Sequence, residues 1–372
     1  VMTPKNYDLA VSLRHTLHTH PELSHHETWT KAYLMDFLAQ HTHLEVVDQG
    51  KWFYALYRAK QPRGRIAFRA DFDALPIQED LPLPYCSQCP GVSHKCGHDG
   101  HSAALAALAL DLEENGADQD VYLIFQHAEE VGGGGQDCAQ LLKQEQIGEV
   151  YAFHNWSGYP QGAVCVRDGV MNCASKGMTI TLTGTPTHAS TPELGKNPAF
   201  AVAHLVDAIP GLISPEDHRG LVLCTVVQVD VGEPAFGVSA HQGKLLLTLR
   251  AHYQEELDTL QRALEERVAQ EAEAYGLKWE IAYCDEFPET SNHPDCVRKV
   301  RQAAKQLGLP LADMPEPARA SEDFGWYLRE IPGALFFIGN GMDYPPLHSI
   351  QFDFPDQEIA TVCDLFRTLI DM

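Results

Sequence analysis

A cysteine and two histidines stand close together in the segment Cys96-Gly-His98-Asp99-Gly-His101, directly before a stretch rich in alanine and leucine. Thiolate sulfur and imidazole nitrogen are ligands that suit Zn²⁺ and its neighbours among the divalent metals. The intervening glycines let the backbone bend so that nearby side chains can face one point. The alternative is a helix N-cap formed by Asp99 or Ser102 beside an incidental cysteine. The residue types favour a metal site.

The adjacent carboxylates of Glu129 and Glu130 form a second group, between the apolar run 121–125 and four consecutive glycines. Adjacent carboxylates at the end of a strand repel each other unless a cation neutralises them. A metal ion can take one of them while the other stays near a metal-bound water as a base. The alternative is a solvated acidic turn. A phosphate-binding loop is excluded, because Gln136 and Asp137 stand where that loop needs Lys followed by Ser or Thr.

Two single histidines and two acids occupy comparable positions near apolar runs. His154 ends the run that begins at residue 149, His348 lies in the loop after the run 334–338, and Asp71 and Asp73 follow a third run. A lone histidine is usually structural, but two more at the same edge of a sheet change that expectation. The acids either bind a metal directly or orient a ligand by hydrogen bonding. Five potential ligands result, enough for two metal ions that share a bridging water: Cys96, His98, Glu130, His154 and His348.

Alternating helix and strand patterns surround these residues. Apolar spacing predicts helices over 30–41 and 102–115 and buried strands at 65–70, 121–125 and 149–153. This alternation is typical of a mostly parallel sheet covered by helices, the α/β class. Functional side chains in such folds collect just beyond the carboxyl ends of the strands. The pattern therefore places the candidate ligands at one edge of one sheet.

The pattern changes near residue 176. The predicted elements there are, in order, a strand at 178–183, a helix at 197–209, strands at 221–231 and 244–252, a helix at 255–275 and a strand at 277–284. The order β-α-β-β-α-β is that of an α+β, ferredoxin-like unit. Because α/β character resumes after Glu286, we expect a discontinuous catalytic domain of residues 1–175 and 286–372, with a second domain inserted over 176–285.

Composition excludes several classes of protein. With 27 Lys and Arg against 51 Asp and Glu, the net charge of −24 argues against binding to nucleic acid or to an anionic membrane. We find no apolar run that could span a bilayer and no secretion signal, and ten cysteines are too sparse for a disulfide scaffold, so cytoplasmic localisation is expected. Cys86 and Cys89 form half a zinc site, a redox pair or, as the neighbouring prolines favour, an incidental pair in a loop.

Five segments together resemble a known family, the dinuclear metal amidohydrolases. The segments are LHTHPELS at 17–24, RADFDALPI at 69–77, CGHDGH at 96–101, EEVGGG at 129–134 and LHS at 347–349. The family includes hippurate hydrolases, N-acyl-amino-acid amidohydrolases and indole-acetyl-amino-acid hydrolases, and it belongs to the wider aminoacylase and carboxypeptidase clan. The resemblance extends over nearly the whole chain, and the segments occur in the family's order.

The resemblance implies a metal-dependent amidohydrolase acting on linear amides. Its expected substrate is an N-acyl or N-aroyl amino acid, which a metal-activated water hydrolyses to a carboxylate and a free amino acid. The resemblance also implies two divalent ions per chain, Zn²⁺ or Mn²⁺ with Co²⁺ or Ni²⁺ as alternatives. It implies, further, that the inserted domain is a lid through which a homodimer forms.

The resemblance also implies a role for each candidate residue. The metal ligands would be the five residues named above, with Asp73 and Asp71 orienting them. Glu129 would be the general base, and the matching His188 of the partner subunit would polarise the scissile carbonyl. Arg250 and Asn197 are the candidates for substrate contacts.

The lid departs from the family's pattern in several places. Residues 184–192, GTPTHASTP, resemble the family's Gly-x-Gly-Gly-His-Ala-x-x-Pro, but Pro186 and Thr187 replace two glycines and Glu193 replaces a frequent histidine. The usual Asn-Val-Ile-Pro is Gly-Val-Ser-Ala at 237–240. Because the asparagine normally helps to hold the substrate, these changes bear on substrate identity rather than on hydrolysis.

Three rival functions are compatible with the same residues. The first is a metallo-dipeptidase or carboxypeptidase acting on small peptides. The second is a non-catalytic relative that binds an acyl amino acid or peptide without turnover. The third is a thiol enzyme that uses Cys96, which would be insensitive to chelators.

Overall fold

The structure is a computed structural model and describes residues 2–372. The helices are α1 (Pro4–Thr19), α2 (Trp29–His41), α3 (His98–Asn115), α4 (Gly135–Gln144), α5 (Ala199–Leu212), α6 (Gln254–Tyr275), α7 (Pro294–Gln306), α8 (Gly325–Leu328) and α9 (Glu358–Ile370). The strands are β1 (Glu45–Asp48), β2 (Phe53–Tyr57), β3 (Arg65–Asp71), β4 (Asp120–Gln126), β5 (Glu149–Ser157), β6 (Val164–Cys165), β7 (Gly169–Asn172), β8 (Ala174–Thr183), β9 (Val222–Val231), β10 (Gln242–Ala251), β11 (Lys278–Phe287), β12 (Thr290–Asn292), β13 (Leu311–Ala312) and β14 (Gly333–Gly341).

The chain divides into two compact units. The first comprises the residues through Met171 together with Thr290–Pro317 and Glu322–Met372, and the second comprises Asn172–Glu289 and Ala318–Ser321. The second unit begins a few residues before the predicted insertion 176–285 and ends a few residues after it. It also takes the short segment 318–321, which no sequence pattern indicated.

The first unit is built on an eight-stranded sheet in the order β1-β2-β4-β3-β5-β14-β6-β13. The four adjacent strands β4, β3, β5 and β14 run parallel, whereas the pairings β1–β2, β2–β4 and β6–β14 are antiparallel. Strands β3, β4, β5 and β14 are buried along most of their length, as their continuous apolar sequences require. Helix α3 is buried from His98 through Leu112 and contacts α1, α9 and β3. This confirms the predicted α/β class with a mostly parallel sheet.

The second unit is a four-stranded antiparallel sheet in the order β11-β8-β10-β9 with helices α5 and α6 packed on it. Strand β10 alternates buried and more exposed residues, so that Leu245, Leu247 and Leu249 join the apolar stripe of α6. The element order and the sheet order confirm the predicted ferredoxin-like unit.

Among the element boundaries that differ from the sequence prediction, three involve candidate site residues. Helix α3 starts at His98 rather than 102, which places His98 in its first turn. Strand β5 continues through Ser157 because its pairing with β14 continues that far, so His154 lies inside the strand and not at its end. Helix α5 starts at Ala199, whose amide donates a hydrogen bond to Asn197 Oδ1 at 2.9 Å. Within residues 2–372, every helix is too short or too polar to cross a membrane.

Candidate metal centre

The potential ligands come from five places in the first unit that meet at the carboxyl edge of the parallel strands. Strand β3 ends at Asp71, and Glu130 follows β4 after a short turn. His154 projects from β5, and the connection from β14 to α9 carries His348. Cys96 and His98 flank the start of α3. The parallel direction of the four central strands brings these loops to one side of the sheet.

A glycine between Cys96 and His98 shapes the first part of the site. Gly97 has a φ of +97°, in the left-handed region that favours glycine. A Cβ atom at this position would lie 2.5 Å from Asn155 Oδ1, so a larger residue is excluded by contact as well as by conformation. The turn leaves both Cys96 and His98 buried and facing the same point.

The first group of donors comprises Cys96, His98 and His154, all of them buried, with one ligand atom each within 4.8 Å of the others. Cys96 Sγ lies 3.5 Å from His154 Nε2. His154 Nδ1 donates to Asn155 O at 2.8 Å, and His98 Nδ1 donates to Asp73 Oδ1 at 3.0 Å. Each imidazole therefore uses Nδ1 for the protein and presents Nε2 to the site.

The second group comprises Cys96, Glu130 and His348, again with ligand atoms within 4.8 Å of one another. Glu130 Oε1 lies 3.4 Å from His348 Nε2 and 3.6 Å from His98 Nε2. Both Glu130 Oε1 and His98 Nε2 are buried without a hydrogen-bond partner. The structure thus brings together all five predicted ligands, and Cys96 is common to both groups.

Asp73 connects ligands from two different loops. Its Oδ1 accepts from His98 Nδ1, while its Oδ2 accepts from the amide of Glu130 at 3.0 Å and from Ser24 Oγ at 2.7 Å. Asp71 is held by Arg69 at 2.8 Å and by His101 Nδ1 at 2.6 Å, and its Oδ2 lies 3.7 Å from His98 Nε2. Both acids are fully buried and stand where they can orient the histidines.

Glu129 lies beside the donors in a buried group of acids. Its Oε2 is 3.8 Å from His98 Nε2, and its carboxylate is within 4.8 Å of those of Glu322 and Asp323. Arg69 Nη2 pairs with both of those acids, at 3.0 and 2.7 Å. No sequence motif indicated a role for Arg69, Glu322 or Asp323. Arg69, an arginine inside an otherwise apolar strand, was the sequence feature that could have indicated this buried group of acids.

The charges in this pocket favour bound cations. Burial, together with Glu322 and Glu130, raises the pKa of Glu129 well above its usual range. Burial, with Glu130 and Glu129 nearby, likewise raises the pKa of the Cys96 thiol. Burial opposes protonation of His98, but Asp71 and Asp73 outweigh it and raise its pKa to about 10. Crowded carboxylates and unpartnered donor atoms are the environment that a divalent ion compensates, so the residues fit a metal centre.

Three predicted site residues lie in the second unit. His188 is exposed, with its Nδ1 2.7 Å from Ser190 Oγ. Arg250 Nη1 donates to Arg319 O and to Ser321 Oγ, each at 2.6 Å, and Asn197 Oδ1 accepts from the amide of Ala199. The side chains of Arg250 and Asn197 thus form hydrogen bonds within the second unit.

The pair Cys86 and Cys89 stands apart from these donor groups. Both thiols are free and partly buried. Neither belongs to any group of potential metal ligands found within residues 2–372. The pair therefore adds no ligand to the centre.

Comparisons with known proteins agree with this geometry. A model of the family described as Peptidase family M20/M25/M40 matches residues 67–372. The N-acetyl-L-cysteine deacetylase of Bacillus subtilis (strain 168) is 30% identical over 341 residues, 90% of this chain and 81% of the deacetylase. An N-acetyldiaminopimelate deacetylase of Exiguobacterium sibiricum is 28% identical over 357 residues, 94% of this chain and 95% of the relative.

A solved structure shows the same fold. The YXEP protein of Bacillus subtilis, described as a dinuclear metal binding peptidase from the M20 family, superposes with a TM-score of 0.83 at 24% identity. The match covers 99% of this chain and 98% of that one. At this identity the likeness concerns the fold.

Proposed function

The chain belongs to peptidase family M20/M25/M40, and from that premise we propose that it hydrolyses the amide bond of N-acyl or N-aroyl amino acids, releasing a carboxylate and a free amino acid. Family membership and the relatives make the chain a hydrolase that acts on amides. The relatives named as deacetylases of N-acetyl compounds support the substrate class. The observation that carries the proposal is the convergence of five metal-binding side chains beside Glu129.

The proposed cofactor is a pair of divalent cations, Zn²⁺ or Mn²⁺. One would be held by Cys96, His98 and His154, and the other by Cys96, Glu130 and His348, in keeping with the two donor groups. Bound cations of this kind supply a Lewis acid and bring the pKa of water close to neutrality.

The protein's own groups then move the protons. Glu129 would take a proton from the attacking water and later give it to the leaving nitrogen, because cations bound beside its carboxylate would offset the burial and the neighbouring acids that raise its pKa. Asp73 keeps the Nδ1 proton of His98 in place and so fixes the direction of Nε2. His188 of the partner subunit polarises the scissile carbonyl in this proposal.

The second unit offers a surface for the proposed homodimer. Strand β9 lies at the edge of its sheet, where Val227 and Val229 are 60% and 51% exposed. Phe236, just beyond that strand, is fully exposed. An apolar edge strand presents unpaired backbone groups and pairs readily with another chain. These features support a dimer formed through the second unit.

The variant Glu129→Gln tests the mechanism. The amide keeps the size of the side chain but cannot accept a proton, so turnover should fall by roughly two to four orders of magnitude. Elemental analysis should still find close to two metal ions per chain, the ratio of the wild type. A variant that holds its metals and keeps substantial turnover would refute the role of Glu129.

A substrate panel separates the proposal from its closest rival. N-acetyl amino acids, N-benzoyl amino acids and dipeptides would be compared with Zn²⁺, Mn²⁺ or Co²⁺ added. Faster turnover of the acyl amino acids supports the proposal, and faster turnover of dipeptides supports a peptidase, which the family's description also includes.

The position of Cys96 bears on the rival thiol enzyme. Its side chain is buried and common to both donor groups, so it is placed to bind metal rather than to attack a substrate as a free thiolate. Activity that survives EDTA but is lost on thiol alkylation would restore that alternative.

A further inference from the structure

We propose that Lys95 is a positioning residue that clamps the loop carrying His348 against the segment carrying Cys96. This loop, residues 342–353, is called the His348 loop below. The inference rests on the proposed function, because its consequence is the affinity of the centre for metal.

Lys95 binds the His348 loop at two points. Its backbone oxygen accepts a hydrogen bond from the amide of His348 at 2.7 Å. Its Nζ, at the end of a fully buried side chain, donates to Phe352 O at 2.8 Å. The same ammonium group pairs with the buried carboxylate of Glu79. Lys95 thus binds the loop at two positions, His348 and Phe352, which lie on either side of a turn.

The loop needs such external support. The His348 side chain is 51% exposed, and its φ of +64° is uncommon for a residue other than glycine. Strained backbone of this kind persists only when the surroundings hold it. The loop's own backbone hydrogen bonds are long, 3.3 Å from the Ser349 amide to Pro346 O and 3.2 Å from the Phe352 amide to Ser349 O, and its short ones are donated by the hydroxyls of Tyr344 and Ser349, at 2.7 Å each.

The position of Lys95 links two donors of one group. It directly precedes Cys96, and Cys96, Glu130 and His348 form the second donor group. Holding His348 to the backbone of Lys95 therefore fixes the separation of two ligands that are far apart in the sequence. The first donor group contains no residue of the His348 loop and shares only Cys96 with the second. Because the Lys95 ammonium binds the loop and not Cys96, its loss should act on the second metal and spare the first.

The variant Lys95→Met removes the ammonium group and keeps the apolar stem. Glu79 would not be left as an unpaired buried charge, because it still accepts from His18 Nε2 at 3.0 Å and from the amide of Ser87 at 2.7 Å. The matched control is Tyr85→Phe, which removes a 2.6 Å hydrogen bond to Asp353 Oδ2 in the same loop but leaves both arms of the clamp.

Calorimetric titration of metal-free protein with Zn²⁺ or Co²⁺ tests the proposal. We expect K95M to bind one ion as the wild type does and the second about 10–100-fold more weakly, the usual cost of losing a group that supports a ligand. In the cobalt protein, only the absorption of the second, more weakly bound ion should differ between K95M and the wild type. Y85F should match the wild type in both measurements. Equal affinities in K95M and wild type would overturn the clamp, whereas a wild type that binds no metal would overturn the proposed function.

Hydrogen exchange of metal-free wild-type protein tests the clamp without a variant. The amide of His348 should exchange slowly although the loop is at the surface, because it donates to Lys95 O. Exchange as fast as in the neighbouring exposed residues would overturn the clamp. If K95M folds, its His348 amide should exchange faster than that of the wild type, and an unchanged rate would count against the proposal.

Discussion

Asp73 is the side chain that most directly fixes the direction of two proposed ligands. It accepts one hydrogen bond from His98 Nδ1 and another from the backbone amide of Glu130. Burial tends to raise the pKa of Asp73, but the hydrogen bond from His98 and the other contacts outweigh it and lower the pKa. Asp73 is thus held as a carboxylate, the form that aligns both neighbours.

A graded pair of substitutions at Asp73 should therefore weaken metal binding by different amounts. Asp73→Asn keeps one acceptor oxygen and should cost about tenfold in metal affinity, and Asp73→Ala should cost nearer to 100-fold. The measurement is a competition titration against a metal indicator. Ser24→Ala is the control, since it removes one hydrogen bond to Asp73 without touching either ligand. Equal affinities in all four proteins would show that Asp73 does not orient the ligands.

Three of the five proposed donors stand in short local motifs that indicated them, whereas His154 and His348 were indicated only by their positions near apolar runs. Cys96 and His98 share one turn, and Glu130 follows a strand whose apolar pattern is plain. The ion pairs and hydrogen bonds between side chains around these donors were not predictable. Arg69 meets Asp323 across 254 positions of sequence, and no local pattern records such a pairing. The same holds for Lys95 and Phe352.

At the scale of elements, helix α1 was missed although its start carries two helix signals. Thr3 Oγ1 accepts from the amide of Asn6, and Pro4 occupies the first helical position. The helix contributes His18 to the buried interior, where Nδ1 donates to Asp99 at 2.8 Å and Nε2 donates to Glu79. Helix α1 is thus fastened to the segment that bears the donors.

This attachment should depend on pH. Burial lowers the pKa of His18, but Asp99 and Glu79 outweigh it and raise the pKa to about 9, above its value in the unfolded chain. Between about pH 6.5 and 9 the folded protein therefore binds one more proton than the unfolded chain, and stability falls as the pH rises. The free energy of unfolding should decrease by about 3 kcal/mol over this range on account of His18.

Urea unfolding of the metal-free protein at several pH values measures this effect. The variant His18→Gln removes the titrating group and should show a flatter dependence between pH 6.5 and 9. The difference between the two proteins isolates His18 from the other groups that titrate there. Parallel curves would contradict the prediction.

At the scale of the whole chain, the two units have separate apolar cores. The family match and the fold confirm the resemblance that the sequence motifs indicated. The inserted unit was predictable because hydrophobic periodicity changes where it begins. The segment 318–321 was not predictable as part of this unit. Ala318 forms a β-bridge with Asn172, and Ala320 O accepts a hydrogen bond from the amide of Cys173. Contacts between residues so distant in sequence leave no local pattern.

Mixed dimers test whether the proposed site needs two chains. If His188 of the partner subunit acts on the substrate, the variants His188→Ala and Glu129→Gln should each be nearly inactive alone. In a mixed dimer, however, the subunit with the alanine keeps its own Glu129 and receives His188 from its partner, so one of the two sites is complete. Random pairing of equal amounts should then restore about a quarter of the wild-type activity, because half of the dimers are mixed and each has one working site.

The two variants would be co-expressed with different affinity tags. The unfractionated mixture should show about a quarter of the wild-type activity, and the isolated dimers that carry both tags should show about half, because one of their two sites is complete. Light scattering first tests the proposal that the wild type is a dimer. Val227→Lys, which places a charge on the exposed edge of β9, should shift the wild type towards monomer and lower its activity. Mixed dimers without activity would show that His188 serves the site of its own chain or none, and activity in the purified Val227→Lys monomer would remove the need for a second chain.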